Sequence, residues 1–337
     1  MEVNEFISNL KSKYSYSDEM VQFLQKAIPS IITYYGEDKK DVIFAALNNC
    51  EIHIQREHEN SEEYLNQYFG SNKKWDIPFL GGAFQHTELT VRDNIVQQRS
   101  IIYMKTEYLH RYKPFDFNDE EKLSSIIHEM CHAIKGYGKL KVENGQVISS
   151  TGLLKDYYEY DKETNTLTNT RSDNTGLEEA LNSYDEAEIM TIMTGVKHEF
   201  GAYKGMTQVA RELMKHEDLA MAIMTSQFSG RDEWTNFLGK ENSEYLSKNF
   251  EDWVSVLYSS PAELMNNKAN LMEKMRIAIN NVSQFANNYS TPSEVQKFEE
   301  SKRVADQRTI DIVKQIIYYN SQTNSFEQVE QTVGRSL

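Results

Sequence analysis

Two cysteines in 337 residues are too few for a disulfide scaffold, and a reducing compartment is the simpler setting. Positive charge is scarce as well. Against 51 Asp and Glu there are 36 Lys and Arg, a net charge of −15, which argues against a general nucleic-acid binder and against attraction to an anionic membrane surface. No stretch approaches the roughly 18 apolar residues of a membrane span. The first ten residues contain Glu2 and Glu5 and no apolar run, unlike a signal peptide. A cytoplasmic protein is therefore expected, with export by a route lacking a cleaved signal left open. Internal repeats and low-complexity linkers are missing too. What remains is the composition of a folded protein, 39% hydrophobic and 11% aromatic, on a chain long enough for a large core and two lobes.

The most informative stretch is Ser124-Ser125-Ile126-Ile127-His128-Glu129-Met130-Cys131-His132-Ala133-Ile134-Lys135-Gly136. Residues four apart on a helix share a face, so His128 and His132 can direct two imidazoles at one point, as a zinc-bearing helix does. Glu129 follows the first histidine and can act on a water there as general base. Leu123, Ile126, Ile127, Met130, Ala133 and Ile134 form an apolar stripe at helical spacing. Asp119, Glu120 and Glu121 suit the helix start, and Lys135-Gly136 its end. The competing interpretation is a structural helix that happens to carry two histidines. Cys131, three positions past His128, reads as a small buried filler rather than a ligand.

Along the chain, residues 3–35 read as two helices broken near Tyr14–Asp18, with Ser17 as an N-cap. Residues 38–49 read as a third helix. Residues 50–55 are either a strand or part of a helix reaching His58, with His53 and His58 solvated, and 62–69 is a short helix ending at Gly70. From Ser71 the texture becomes strand-like. Phe84–Val91 and Ile95–Thr106 are strand candidates, and Ser100–Met104, if it forms a sheet edge beside a metal, offers free backbone groups to an extended peptide. His110 reads as surface or structural. Glu143-Asn144-Gly145 is a tight hairpin signal, and Asp161–Asn165 a second turn. Together they suggest a small antiparallel insertion carrying Lys155, Tyr157, Tyr158 and Tyr160. A helix capped by Asn174 or Thr175, with an acidic first turn, runs to about Thr194. Two imidazoles leave a zinc site incomplete, and a carboxylate from this second helix would supply a third ligand while one position stays open. The remainder reads as helical through Ser293–Tyr319, with a polar, frayed tail from Asn320.

His128-Glu129-x-x-His132 followed by a Gly-Leu-Glu-Glu-Ala-Leu helix (Gly176–Leu181) resembles the zincin metallopeptidases of the glutamate-ligand type, the gluzincins. The resemblance spans roughly residues 95–195. It implies one Zn²⁺ ion held by His128, His132 and Glu179, with Glu178 as the fallback ligand, a peptide or protein substrate, and hydrolysis with Glu129 as base. Two departures stand out. Ser183 occupies the position where the family often carries an acidic residue that orients a ligand histidine, so Asn182, Asp185 or Glu186 would have to take that part. The interval from His132 to Glu179 is also longer than in compact members. Oxyanion stabilisers are sought among Tyr184, His198, Tyr203 and His216.

The expected protein is therefore α+β and mostly helical, a zincin-like catalytic core with a small antiparallel sheet and a helical C-terminal lobe. Its expected sections are 1–70, 71–200 and 201–337. The alternatives to a peptidase are a site that binds zinc for structure, closed by a fourth ligand such as Cys131, Glu178 or Asp185, an inactive zincin-like binding or regulatory protein, and a zinc hydrolase acting on a non-peptide amide.

Overall fold

The computed structural model describes residues 1–72, 74–75, 82–108, 111–163, 165–198, 204–257, 261–287, 313–323 and 325–332. In chain order the elements are helices α1 (Val3–Tyr14), α2 (Asp18–Tyr35) and α3 (Lys40–Asn48), strand β1 (Cys50–Ile54), helix α4 (Ser61–Phe69), strands β2 (Gly82–Arg92) and β3 (Ile95–Lys105), and the short strands β4 (Glu107–Tyr108) and β5 (Arg111–Tyr112). Helix α5 (Glu120–Gly136) is followed by β6 (Leu140–Glu143), β7 (Gln146–Thr151), β8 (Leu154–Asp161) and β9 (Thr166–Asp173), and then by α6 (Thr175–Thr194). Helices α7 (Lys204–Met214), α8 (Glu217–Ser229), α9 (Glu233–Leu238), α10 (Lys240–Leu257) and α11 (Pro261–Asn287) precede β10 (Val313–Asn320) and β11 (Ser325–Thr332). Contacts group these into two compact units that interleave along the chain. The first holds Met1–Tyr137, Lys162–Leu167 and Asp185–Glu199, and the second holds Gly138–Asp161, Thr168–Tyr184 and Phe200–Leu337.

The first unit carries the N-cap that the sequence predicts at Ser17. Ser17 caps α2 by accepting from the Met20 N–H at 3.2 Å, satisfying a donor that has no partner within the helix. Asp93 and Asn94, both at positive φ, make the two-residue turn that sets β2 against β3, with Arg92 opposite Ile95. β1 runs parallel to β3 on its other side, Cys50 opposite Ser100 and Ile54 opposite Met104. The condition under which Ser100–Met104 could bind an extended peptide, a free sheet edge, is not met, because this stretch lies between two partner strands. It is mostly buried, as a strand covered on both faces must be. α4 packs Leu65 and Phe69 onto Ile101 and Tyr103, with Tyr64, Tyr68, Trp75 and Phe84 around them. α5 packs against β2, β3 and α3. Its C-terminal Gly136 carbonyl accepts from Gln98 Nε2 at 3.1 Å, relieving one of the carbonyls left over at a helix end. His110 lies outside the described residues.

His53, expected to be solvated, is only 6% exposed. It sits on β1 rather than on a helix, so its face is set by strand alternation and not by its spacing from His58. Its Nε2 meets Glu59 at 2.8 Å, its Nδ1 lies 3.7 Å from Glu51, and its ring stacks on Tyr64 with centroids 3.8 Å apart. The Tyr103 hydroxyl donates to the same Glu59 at 2.8 Å.

In the second unit β6, β7 and β8 form an antiparallel meander. Asn144 and Gly145, both at positive φ, turn β6 into β7 with Glu143 opposite Gln146, as the Asn-Gly pair dictates. β9 continues this pairing beside β8, and its first residues, Thr166 and Leu167, pair with β2 inside the first unit. Helices α7 to α11 enclose a core of Met206, Leu213, Ile223, Trp234, Phe237, Phe250, Trp253 and Met275, to which Leu177 and Leu181 at the start of α6 contribute. The hairpin β10–β11 stands where a helix and a frayed tail were expected. Ile316, Ile317, Tyr318 and Tyr319 are residues that suit a pleated, half-buried surface, and Asn320 turns the chain by accepting from the N–H groups of Gln322 and Thr323.

The expected zincin-like core with a small antiparallel sheet and an all-helical C-terminal lobe is overturned. Among the described residues the larger sheet strings eight strands in the order β11-β10-β3-β2-β9-β8-β7-β6, and a zincin core is not built on an antiparallel sheet of that extent. The physical reason is that the insertion after α5 does not form an isolated flap: β9 carries hydrogen bonding directly into β2. Among the described residues no helix is long and apolar enough to cross a membrane.

The His53 pair makes stability depend on pH. Burial disfavours the imidazolium, but hydrogen bonds to Glu51 and Glu59 outweigh it and hold the pKa above 6.5; Glu59, despite its own burial, is held below the ordinary carboxylate range by His53. A folded-state histidine pKa above the unfolded one stabilises below the unfolded pKa, and that contribution is lost as pH rises through the folded value. The stability gap between the parent and His53→Gln, measured by urea unfolding, is expected to be larger at pH 6 than at pH 9. An equal gap at both would remove the charged pair from the account.

Candidate metal centre

The candidate centre is built on two helices, α5 and α6. α5 begins at Asp119 with Glu120 and Glu121 in its first turn, where carboxylates complement the partial positive charge of exposed N–H groups. From Ile126 onward it is buried nearly all round, so its polar residues must find partners. Ser124, His128 and His132 follow one another at intervals of four and share a face. The two imidazole rings stand 4.9 Å apart at 73°.

α6 is one uninterrupted helix from Thr175 to Thr194, its first half counted with the second unit and its second half with the first. Glu179 and Glu186 lie seven residues apart on it, two turns within about 20° of the same azimuth. Glu186 reaches the polar face of α5. His128, His132 and Glu179 each offer a ligand atom, and these atoms lie within 4.8 Å of one another. Glu186 accepts from His128 Nδ1 at 3.2 Å, while its other oxygen takes the Ser124 hydroxyl. His198 Nε2 is 3.3 Å from Ser124 Oγ and 4.0 Å from Glu186. A carboxylate on Nδ1 fixes the ring and its tautomer, leaving Nε2 as the atom to coordinate.

The donor set fits zinc: two imidazoles and one carboxylate, on separate helices, are the ligands that ion takes at about 2.0–2.2 Å in catalytic sites. Both histidines are 7% exposed, whereas Glu129 and Glu179 are half-buried. Glu129, one position round the helix from His128, accepts from the backbone N–H of Gln85 at 2.8 Å. That bond joins α5 to the stretch of β2 that precedes its pairing with β9 at Leu89.

A second set of groups fastens the helices. Lys135 is fully buried, and its Nζ donates to Asp185 at 3.1 Å. The same carboxylate accepts from the hydroxyls of Tyr34 at 2.7 Å and Tyr35 at 2.9 Å. Lys135 was expected near the helix end as a dipole partner; it instead spends its charge sideways, on α6. Cys131 is buried beside Tyr35, and burial pushes its thiol up in pKa, consistent with a packing role.

Of the residues singled out from the sequence, His128, His132 and Glu179 offer ligand atoms within 4.8 Å of one another, and Glu129 shares the helix with the two histidines. Glu178 does not join them: its fully buried carboxylate accepts from the Leu153 N–H at 2.7 Å. Glu186, not Ser183, orients His128. Tyr184 packs against the apolar core of the second unit, and His216 bonds Ser283 at 2.7 Å. His198 stands behind His128, on its Nδ1 side. Tyr203 lies outside the described residues. Gln85, Ser124 and Lys135 were not foreseen as parts of the centre. For Ser124 and Glu186 a signal existed, the i−4 spacing to His128 and the i+7 spacing to Glu179.

Replacing Lys135 by Met leaves Asp185 buried without its cation. Breaking a buried pair from one side costs on the order of 3–5 kcal/mol. Urea unfolding of the variant is expected to show a loss of that size; a loss below about 1 kcal/mol, the worth of an exposed pair, would mean that water reaches the carboxylate.

Comparison of the chain with protein-family models, with curated proteins and with solved structures finds no match.

Proposed function

We propose that the protein is a zinc-dependent hydrolase of peptide bonds, with His128, His132 and Glu179 holding one Zn²⁺ and Glu129 serving as general base. The observation that carries this reading is the convergence of three donors from two helices, within 4.8 Å, beside a glutamate whose carboxylate is already held by a backbone N–H. A zinc ion held there supplies Lewis-acid polarisation of a carbonyl and a water of pKa near 7.

The chain's own residues do the remainder. Glu129 receives the proton of the attacking water and delivers it to the leaving amine. Gln85 N–H, bonded to one oxygen of that carboxylate, fixes the direction in which it works. Glu186 keeps His128 in the tautomer with Nε2 available. Three protein donors leave a position for substrate and water, and three other candidates for a fourth ligand are committed elsewhere: Cys131 beside Tyr35, Asp185 to Lys135 and two tyrosines, Glu178 to Leu153. This favours an open, catalytic centre over a closed, structural one.

Glu129→Gln is expected to retain zinc, one ion per chain by metal analysis, and to lose peptide cleavage by about 10²–10⁴-fold, the share of a positioned base. His132→Ala is expected to lose the metal. Digestion of a peptide library with and without chelator provides the assay. Cleavage by Glu129→Gln at the parental rate would remove Glu129 as base, and cleavage that survives chelation would remove the metal.

A further inference from the structure

We propose that Glu178 and Gly152 form a latch that aims Glu179, so that the β7–β8 turn is a positioning element for the metal-binding carboxylate. The proposal rests on the zinc reading above and adds to it residues that touch neither metal nor substrate.

The turn from Thr151 to Leu154 has two central residues, Gly152 and Leu153, with Gly152 at φ +61°, a conformation glycine adopts at little cost. A Cβ at Gly152 would overlap the Glu178 carboxylate, so the turn and the side chain are fitted to each other. Glu178 accepts from the Leu153 N–H at 2.7 Å and from Gln227 Nε2 at 3.3 Å, which ties it to the turn and to α8 together. Asn174, just before the helix, donates to the Leu153 carbonyl at 3.2 Å and accepts from Ser247. Gly176 N–H donates to Glu251 at 3.0 Å. The first turn of α6 is thus held from three sides, and Glu179 is the next residue after the one gripped hardest. Successive helical residues differ by about 100° in azimuth, so fixing the Glu178 side chain against the turn fixes the direction in which Glu179 leaves the helix.

The test uses the full chain, stripped of metal and titrated with Zn²⁺ against a chromophoric chelator, and separately loaded with Co²⁺ for visible absorption. Unfolding of the metal-free forms reports fold stability independently. Gly152→Ala is expected to weaken zinc about 10–100-fold, the range for residues that orient ligands, and to shift the Co²⁺ spectrum toward that of Glu179→Ala. Gln227→Leu, a milder change remote from the turn, is expected to shift both in the same direction by less. Glu178→Gln, which keeps the acceptor for Leu153 N–H, is expected to stay near the parent. If Gly152→Ala and Gln227→Leu keep the parental spectrum and affinity, the latch is overturned while the zinc site stands. Should Gly152→Ala fail to fold, Gln227→Leu decides alone by the same readings. A parent that takes up no zinc would overturn both.

Discussion

A fully buried lysine bonded to a buried aspartate joins the two helices on which the candidate centre stands. Desolvating both charges costs several kcal/mol each, and the pair persists because Asp185 is satisfied on both oxygens, by Lys135 and Tyr35 on one and by Tyr34 on the other. The bond is directional where apolar packing is not. An apolar contact between α5 and α6 would allow them to slide or rotate by fractions of a turn at small cost, whereas this arrangement admits one register. Glu186 is the next residue after Asp185, and its grip on His128 follows from that register. The candidate centre therefore owes the placement of Glu186 on His128 to a cluster that supplies none of its three donors.

The two halves of α6 answer to different neighbours. Asp185 and Glu186 are fixed by α5 and by the tyrosines of α2. Thr175 to Glu178 are fixed by the β7–β8 turn, by Gln227 and by α10. Glu179 lies between these anchorages, on a helix of 20 residues that transmits both. In the ligand role proposed for it Glu179 gains from this, because a long side chain otherwise loses rotamer freedom on binding a metal, and pre-positioning moves that cost into folding.

The centre was legible in the sequence to the extent that it obeys helical periodicity. His128, Glu129 and His132 are visible because two histidines at a spacing of four on an apolar-striped helix share a face, and Glu179 only through the resemblance of its Glu-Glu-Ala run to the third-ligand pattern of a known family. Lys135 illustrates the limit. Its position near a helix end suggests interaction with the dipole, and only the tertiary contact with Asp185, 50 residues away, reveals its use. His53 is hidden for a related reason: its spacing from His58 suggests an exposed helical face, whereas the parallel partner β3 makes the segment a strand.

The fold was less legible than the site, and the reason is physical. The hairpins around Asn144-Gly145 and Asp93-Asn94 are local events that turn residues announce, but the pairing of β9 with β2 joins residues 75 and more positions apart, at Leu89–Leu167 and Thr90–Thr166, and nothing in either strand specifies the other. The same applies to β10 and β11, whose polar alternation reads as a solvated helix or tail until the two are paired. A metal motif constrains a few side chains on one or two helices. It does not constrain which sheet those helices pack on, so the chemistry expected of His128, Glu129, His132 and Glu179 stands apart from the sheet architecture expected with it. That separation is the general condition under which function resides in a site carried by a fold: two helices held at the right register suffice for the donors, and here the register comes from Lys135, Asp185 and the tyrosines of α2 rather than from the sheet.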